Sequence, residues 1–122
     1  HGICADGMLK NLDSKSPKIL IVSQMSSSNN LIDKNYTKNC YDIALKYPQN
    51  VIGFISQKKF VNDNNFLFLT PGVKIIEEKE KDQNYRTPEK ALKEDKNDII
   101  IVGSGIYSST PEIYSKYFNL TF

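Results

Sequence analysis

Four short strings in this chain combine residue types able to hold an anionic, polar ligand. Ile100-Ile101-Val102-Gly103-Ser104-Gly105 ends an apolar run with glycines on either side of one residue. That spacing lets main-chain N–H groups approach an anion closely. Leu69-Thr70-Pro71-Gly72-Val73 ends another apolar run, where the proline fixes a turn and Gly72 admits backbone angles closed to other residues. Gln83-Asn84-Tyr85-Arg86-Thr87-Pro88 offers an amide and a phenol as neutral donors just ahead of a helix start. Met25-Ser26-Ser27-Ser28-Asn29-Asn30-Leu31 clusters hydroxyls and amides that can read the edge of a polar ring. Taken singly, each string reads as a strand-exit turn, a helix lead-in or a polar loop. Their order along the chain carries the information.

Other chemistries find little support. His1 is the sole histidine and Cys4 and Cys40 are the only cysteines, too few for a zinc set, and a Cys–His nucleophilic pair would rest on a terminal residue. Cys40 falls on the apolar stripe of a helix and reads as a buried free thiol. The lack of a cysteine framework predicts a reducing, cytoplasmic setting. The formal net charge is +2, yet the only arginine is Arg86, and lysines alternate with acids over residues 77–82, a solvated pattern. Neither a nucleic-acid-reading face nor an apolar run of the ~20 residues that span a bilayer is present in the sequence. With 122 residues, 39% hydrophobic and 25% charged, the chain is one ordinary soluble domain. It begins at His1 and not Met, which predicts a start further upstream.

The elements that must position these strings repeat in the order strand, turn, helix. Apolar, β-branched runs over 18–22, 51–56, 66–70 and 98–103 do not alternate with polar residues, as expected of parallel strands covered by helices. Tyr36, Cys40, Ile43, Ala44 and Tyr47 recur at helical spacing, and Pro48 ends that segment. Thr87-Pro88 and Thr110-Pro111 each supply an N-cap followed by proline at the first helical position. The link over 57–65 has room for a helical turn or two at most. The fold class is α/β, a (βα) series with right-handed crossovers. A barrel slice of this kind carries helices on one sheet face and leaves the other face and both edges uncovered.

In this order the strings resemble the second half of orotidine 5'-phosphate decarboxylase, over nearly the whole chain. His1-Gly2-Ile3 is similar to the family's stretch just past barrel strand four. Residues 25–31 with Tyr36-Thr37 are similar to its Leu-Ser-Ser-Lys-Gly-Ser-Leu…Tyr-Thr segment, and 51–56 to its Val-Ile-Gly-Phe-Ile strand. Residues 69–73 match its Leu-Thr-Pro-Gly-Val, 83–87 resemble Gln-Gln-Tyr-Arg-Thr, and 98–105 resemble Asp-Ile-Ile-Ile-Val-Gly-Arg-Gly. The wording leans toward the eukaryotic form, often the C-terminal domain of a bifunctional UMP synthase.

The resemblance implies the C-terminal half of a (β/α)8 TIM barrel, strands five to eight, with residues 1–122 as a partial domain whose N-terminal half is absent. It implies decarboxylation of orotidine 5'-monophosphate to UMP by the intact barrel, without metal or organic cofactor, and a homodimer. Ser27 would bond the pyrimidine edge and Pro71 would pack on the ring. Gln83 and Tyr85 would bind the 5'-phosphate, with main-chain N–H groups of Gly103 and Gly105. The catalytic lysine and aspartate array would lie upstream of His1, so the piece alone is expected to be inactive.

Two departures bear on function. Ser104 stands where the family has arginine, and a hydroxyl does not replace a bidentate guanidinium on phosphate. Asn29 replaces a glycine in the base-side loop. Arg86 matches a position outside the phosphate contacts and reads as a surface residue leading into a helix. The alternative expectation is a non-catalytic descendant, or a half-barrel, that binds a nucleotide or a protein partner.

Overall fold

The apolar runs become strands in a computed structural model that describes residues 1–75, 79–80, 83–108 and 110–119, with the backbone alone described at 79, 80, 83, 114 and 118. Strands β1 (Ile19–Val22), β2 (Val51–Ile55) and β3 (Leu67–Thr70) are followed by a short antiparallel hairpin, β4 (Lys79–Glu80) and β5 (Gln83–Asn84), and then by β6 (Ile99–Ile100). β1, β2, β3 and β6 form one parallel sheet in that order. The order follows the chain without reversal, as in a barrel wall and unlike a doubly wound sheet, whose order switches direction. β6 is shorter than its run, but Ile101 N still donates to Thr70 O at 2.8 Å and carries the ladder one step further.

Helix α1 (Ala5–Leu9) follows a 3-10 turn over Gly2–Cys4, and α2 (Lys34–Lys46) joins β1 to β2. Asp33 caps α2, its carboxylate accepting from Tyr36 N at 2.7 Å. The predicted stripe faces the core: Cys40 and Ala44 are buried, while Tyr36, Ile43 and Tyr47 pack against the cluster. Residues 57–65 carry no helix. After the hairpin, Thr87 accepts from Lys90 N through Oγ1, and the turn it starts is a π-helix over Lys90–Glu94. Helix α3 (Ser104–Tyr107) and α4 (Pro111–Phe118) close the described chain. Thr110 holds the cap position of α4 but makes no capping bond to its backbone.

Packing is one-sided. Register places Ile21 beside Phe54 and Phe54 beside Phe68, and all three are buried with Leu9, Cys40 and Ala44 from the helices. Phe54 is the hub, its ring centroid 5.1 Å from Phe60, 5.3 Å from Phe66 and 5.5 Å from Phe68. Such pairs each contribute roughly 0.5–1.5 kcal/mol beyond area burial. The register neighbours Gly53 and Leu67, then Ile55, Leu69 and Ile99, share the opposite face. There Leu67 and Ile99 each keep 43% exposure. Helices cover one sheet face and leave apolar residues on the other, as expected of a barrel wall.

Arg86 overturns its reading as a surface residue. Its side chain is 11% exposed and ion-paired with Asp95 at 2.5 Å. Nη1 also donates to Gln57 O, and Nη2 to Thr70 Oγ1 and, at 3.3 Å, to Pro71 O. One guanidinium therefore joins the ends of β2 and β3 to the end of the π-helix. Only a planar fork with several fixed donors can reach that many acceptors at once. The backbone is equally engaged: Arg86 N donates to Gly72 O and Arg86 O accepts from Lys74 N.

Arg86→Met is accordingly expected to cost roughly 2–4 kcal/mol in urea unfolding, because Asp95, Thr70 Oγ1 and Pro71 O lose this donor while Gln57 O keeps only Asn97 Nδ2. A loss below about 0.5 kcal/mol, the surface norm, would contradict the brace. Burial also pushes the Cys40 thiol up from its ordinary value, although Tyr36 acts the other way. A thiol reagent at pH 8 should therefore modify exposed Cys4 and spare Cys40 until the chain unfolds. Equal labelling rates for the two in the folded chain would sink that expectation.

Candidate functional site

Three of the motifs leave the C-terminal ends of β1, β3 and β6, and the fourth, residues 83–88, lies in the connection from β3 to β6. In (β/α) barrels that edge carries the site, because the loops there converge while the strands hold them rigid. The exits of β1 and β2 are stitched together. Ser23 N and Gln24 N both donate to Ile55 O, and the Gln24 side-chain oxygen accepts from Gln57 N at 3.0 Å and Lys58 N at 3.3 Å. Gln24 was not among the expected residues, since no pattern marks a side chain that caps a neighbouring strand.

Beyond Gln24 the hydroxyl-rich loop turns sharply. Asn30 Nδ2 donates to Ser27 O at 2.7 Å, and Asn30 Oδ1 accepts from Ile32 N. Asn29 has φ 55°, the left-handed region. Glycine enters that region freely and asparagine is the side chain that follows it most readily. Asn29 is thus a residue suited to the backbone angle it holds. Ser27 is half-buried in this loop.

The Thr-Pro-Gly turn meets that loop directly. Gly72 has φ 73°, and a Cβ added there would sit 2.8 Å from Ser26 Cβ. Ser26 O accepts from Asn84 N at 3.2 Å, so the hairpin is tied to the same point. Pro71, Ser27 and the 83–86 segment thus share one neighbourhood. Tyr85 is half-buried, and the Lys74 ammonium lies 4.0 Å from its ring centroid. The hairpin backbone is described at Gln83, but its side chain lies outside the described residues.

The Gly-Ser-Gly string opens α3. Gly103 is the residue before the helix, Ser104 is half-buried and Gly105 is buried. A Cβ on Gly105 would collide with the Tyr117 hydroxyl from α4. That hydroxyl accepts from Ile75 N at 2.8 Å, which joins this string to the segment after Pro71-Gly72. Tyr117 too was missed by sequence reasoning, being an ordinary aromatic in a short helix.

A cleft of about 900 Å³ opens between the exits of β1 and β2 and the start of α2, lined by Gln24, Met25, Asn30, Lys34, Lys38, Tyr41 and Phe60 among others. Among the described residues, Ser27, Pro71, Tyr85, Gly103, Ser104 and Gly105 do not line it. It flanks the motif edge. Among the described residues, no three His, Cys, Asp or Glu side chains converge to hold a metal, and no helix is long and apolar enough to cross a membrane.

The arrangement can do two things chemically. The 25–31 loop carries hydroxyls and amides of the kind that hydrogen-bond a polar ring, and residues 85 and 103–105 carry a phenol and glycine N–H groups of the kind that hydrogen-bond an anion. Comparison with known proteins identifies the family. An orotidine 5'-phosphate decarboxylase of Aureobasidium pullulans is 42% identical over 95 residues, covering 75% of this chain and 35% of that protein. One from Phycomyces blakesleeanus is 33% identical over 120 residues, or 93% of this chain and 45% of that protein. A uridine 5'-monophosphate synthase of Bos taurus is 32% identical over 118 residues, 93% of this chain and 25% of that protein. The chain spans less than half the length of these relatives. The sequence model of the orotidine 5'-phosphate decarboxylase / HUMPS family matches residues 4–114, and the chain belongs to that family.

Proposed function

We propose that this chain forms strands five to eight of a (β/α)8 barrel that converts orotidine 5'-monophosphate to UMP in pyrimidine synthesis. It would supply the base-side and phosphate-side loops, with Ser27 on the pyrimidine edge and Pro71 against the ring. Gln83, Tyr85, Ser104 and the main chain of Gly103 and Gly105 would hold the 5'-phosphate. The lysine and aspartate array that acts on the carboxylate would come from upstream strands. The working assembly would be a cytoplasmic homodimer; the two free cysteines fit a reducing setting.

The observation that carries this reading is the junction of Ser26, Gly72 and Asn84. It joins the loop for the base, the turn for the ring and the hairpin for the phosphate at one point. A ligand spanning them would be a polar ring linked to an anion, which is the shape of a nucleotide. The exposed sheet face with Leu67 and Ile99 is where the remaining strands of a barrel would add their side chains. Within this mechanism, energy gained at the phosphate end is used to lower the barrier at the distant ring. Ser104 therefore limits turnover and not affinity alone.

The test joins this chain to the upstream half-barrel of a fungal relative. The chain alone should leave orotidine 5'-monophosphate unconverted, and the joined barrel should decarboxylate it. Ser104→Arg in the joined barrel should raise kcat/KM by roughly tenfold or more, the yield of one charge-assisted bond. Turnover by the chain alone, or an unchanged rate in Ser104→Arg, would contradict the assignment.

A further inference from the structure

Among the described residues, the ladder between β3 and β6 ends where Ile101 N donates to Thr70 O at 2.8 Å. Past that rung the chain after β3 runs from Pro71 to Ile75, and the chain after β6 runs through Gly103 to Gly105. Two loops leaving neighbouring strands keep a fixed spacing only through bonds made beyond the ladder. The first part of the β3 exit is secured to residue 86, since Gly72 O accepts from Arg86 N and Lys74 N donates to Arg86 O. Ile75 then turns to a different element. Its N–H donates to the Tyr117 hydroxyl on α4 at 2.8 Å.

The same hydroxyl lies against the glycine string. Gly105 is buried, and a Cβ built on it would overlap the Tyr117 hydroxyl and come within 3.2 Å of Tyr117 Cζ and Val102 Cγ1. Gly72 is the one glycine with positive φ, so the need for glycine at 105 comes from close approach and not from backbone angle. While the tyrosine keeps its place, a side chain at 105 has no room. One oxygen, on a half-buried ring, therefore stands between the exit of β3 and the string after β6.

We propose that Tyr117 is a positioning residue of the nucleotide site, its hydroxyl setting the spacing between the Pro71 turn and the Gly103-Ser104-Gly105 string. The inference rests on the nucleotide-site reading above, in which the pyrimidine ring lies on the turn and the 5'-phosphate meets the string. Tyr117 touches neither end of the ligand. It fixes how far apart the two ends are held. A ligand bonded at both ends is sensitive to that spacing, because a small misplacement at one end weakens what the other end can reach. A ligand that lacks the anionic end is not.

Calorimetry on the 122-residue chain with UMP and with uridine, which lacks the phosphate, tests the proposal. Tyr117→Phe keeps the ring and removes the oxygen. It should weaken UMP binding by about threefold to tenfold, the worth of one hydrogen bond, and leave uridine binding unchanged. Gly105→Ala should also weaken UMP binding, and by less when combined with Tyr117→Phe, because the added methyl no longer meets the hydroxyl; such non-additivity marks direct coupling. Amide hydrogen exchange on the ligand-free chain tests the tie by itself: Tyr117→Phe should speed exchange at Ile75 and leave Ile101 unchanged. Undiminished UMP binding in Tyr117→Phe, equal loss for uridine, strictly additive losses or unchanged exchange at Ile75 each overturn the role of Tyr117. Failure of the natural chain to bind UMP, with exchange at Ile75 still accelerated in the variant, overturns the nucleotide-site reading and the positioning role with it.

Discussion

The guanidinium of Arg86 fixes the geometry on which the candidate site depends. Parallel strands end with carbonyls and N–H groups that the next loop must satisfy. Here one side chain accepts that task for two strands, through Gln57 O and Pro71 O, and anchors itself on Asp95. Because Arg86 follows Tyr85 in the chain and pairs its own backbone with Gly72 and Lys74, the same residue sets the position of the β4–β5 hairpin. The loops that leave β2 and β3 are thereby held to one another and to the residue after the π-helix.

The one-sided core explains why function concentrates at that edge. Phe54, Phe66 and Phe68 with α1 and α2 make a dense apolar layer on one face. The other face presents aliphatic side chains that are only partly covered. Neither face offers polar side chains placed to converge on a ligand. The strand ends do, since the ladder holds them rigid while their loops are free to carry Ser, Asn, Pro and Gly. Membership in the orotidine 5'-phosphate decarboxylase / HUMPS family fits this division.

Much of this was legible in the sequence. Continuous β-branched runs gave the strands, because a strand covered by a helix layer needs no polar alternation. Thr70-Pro71-Gly72 gave the turn, since φ 73° at Gly72 is a conformation that few other residues adopt. Three features were hidden for physical reasons. Arg86 finds its acceptors across two strands and nine residues ahead at Asp95, a set that no local periodicity encodes. The hairpin of β4 and β5 has strands of two residues inside a charged run, too short and too polar to show a pattern. Asn29 read as a departure from a family glycine, and nothing local in the sequence showed that it takes the left-handed conformation that glycine enters freely.

The central claim is that the C-terminal strand edge, and not the neighbouring cleft, is where a nucleotide sits. Amide chemical-shift mapping of the 122-residue chain titrated with UMP tests it most directly. The account predicts shifts concentrated at Ser27, Gly72, Tyr85, Gly103 and Gly105. Shifts confined to Lys34, Lys38 and Phe60 in the cleft, or none at saturating UMP, would contradict it.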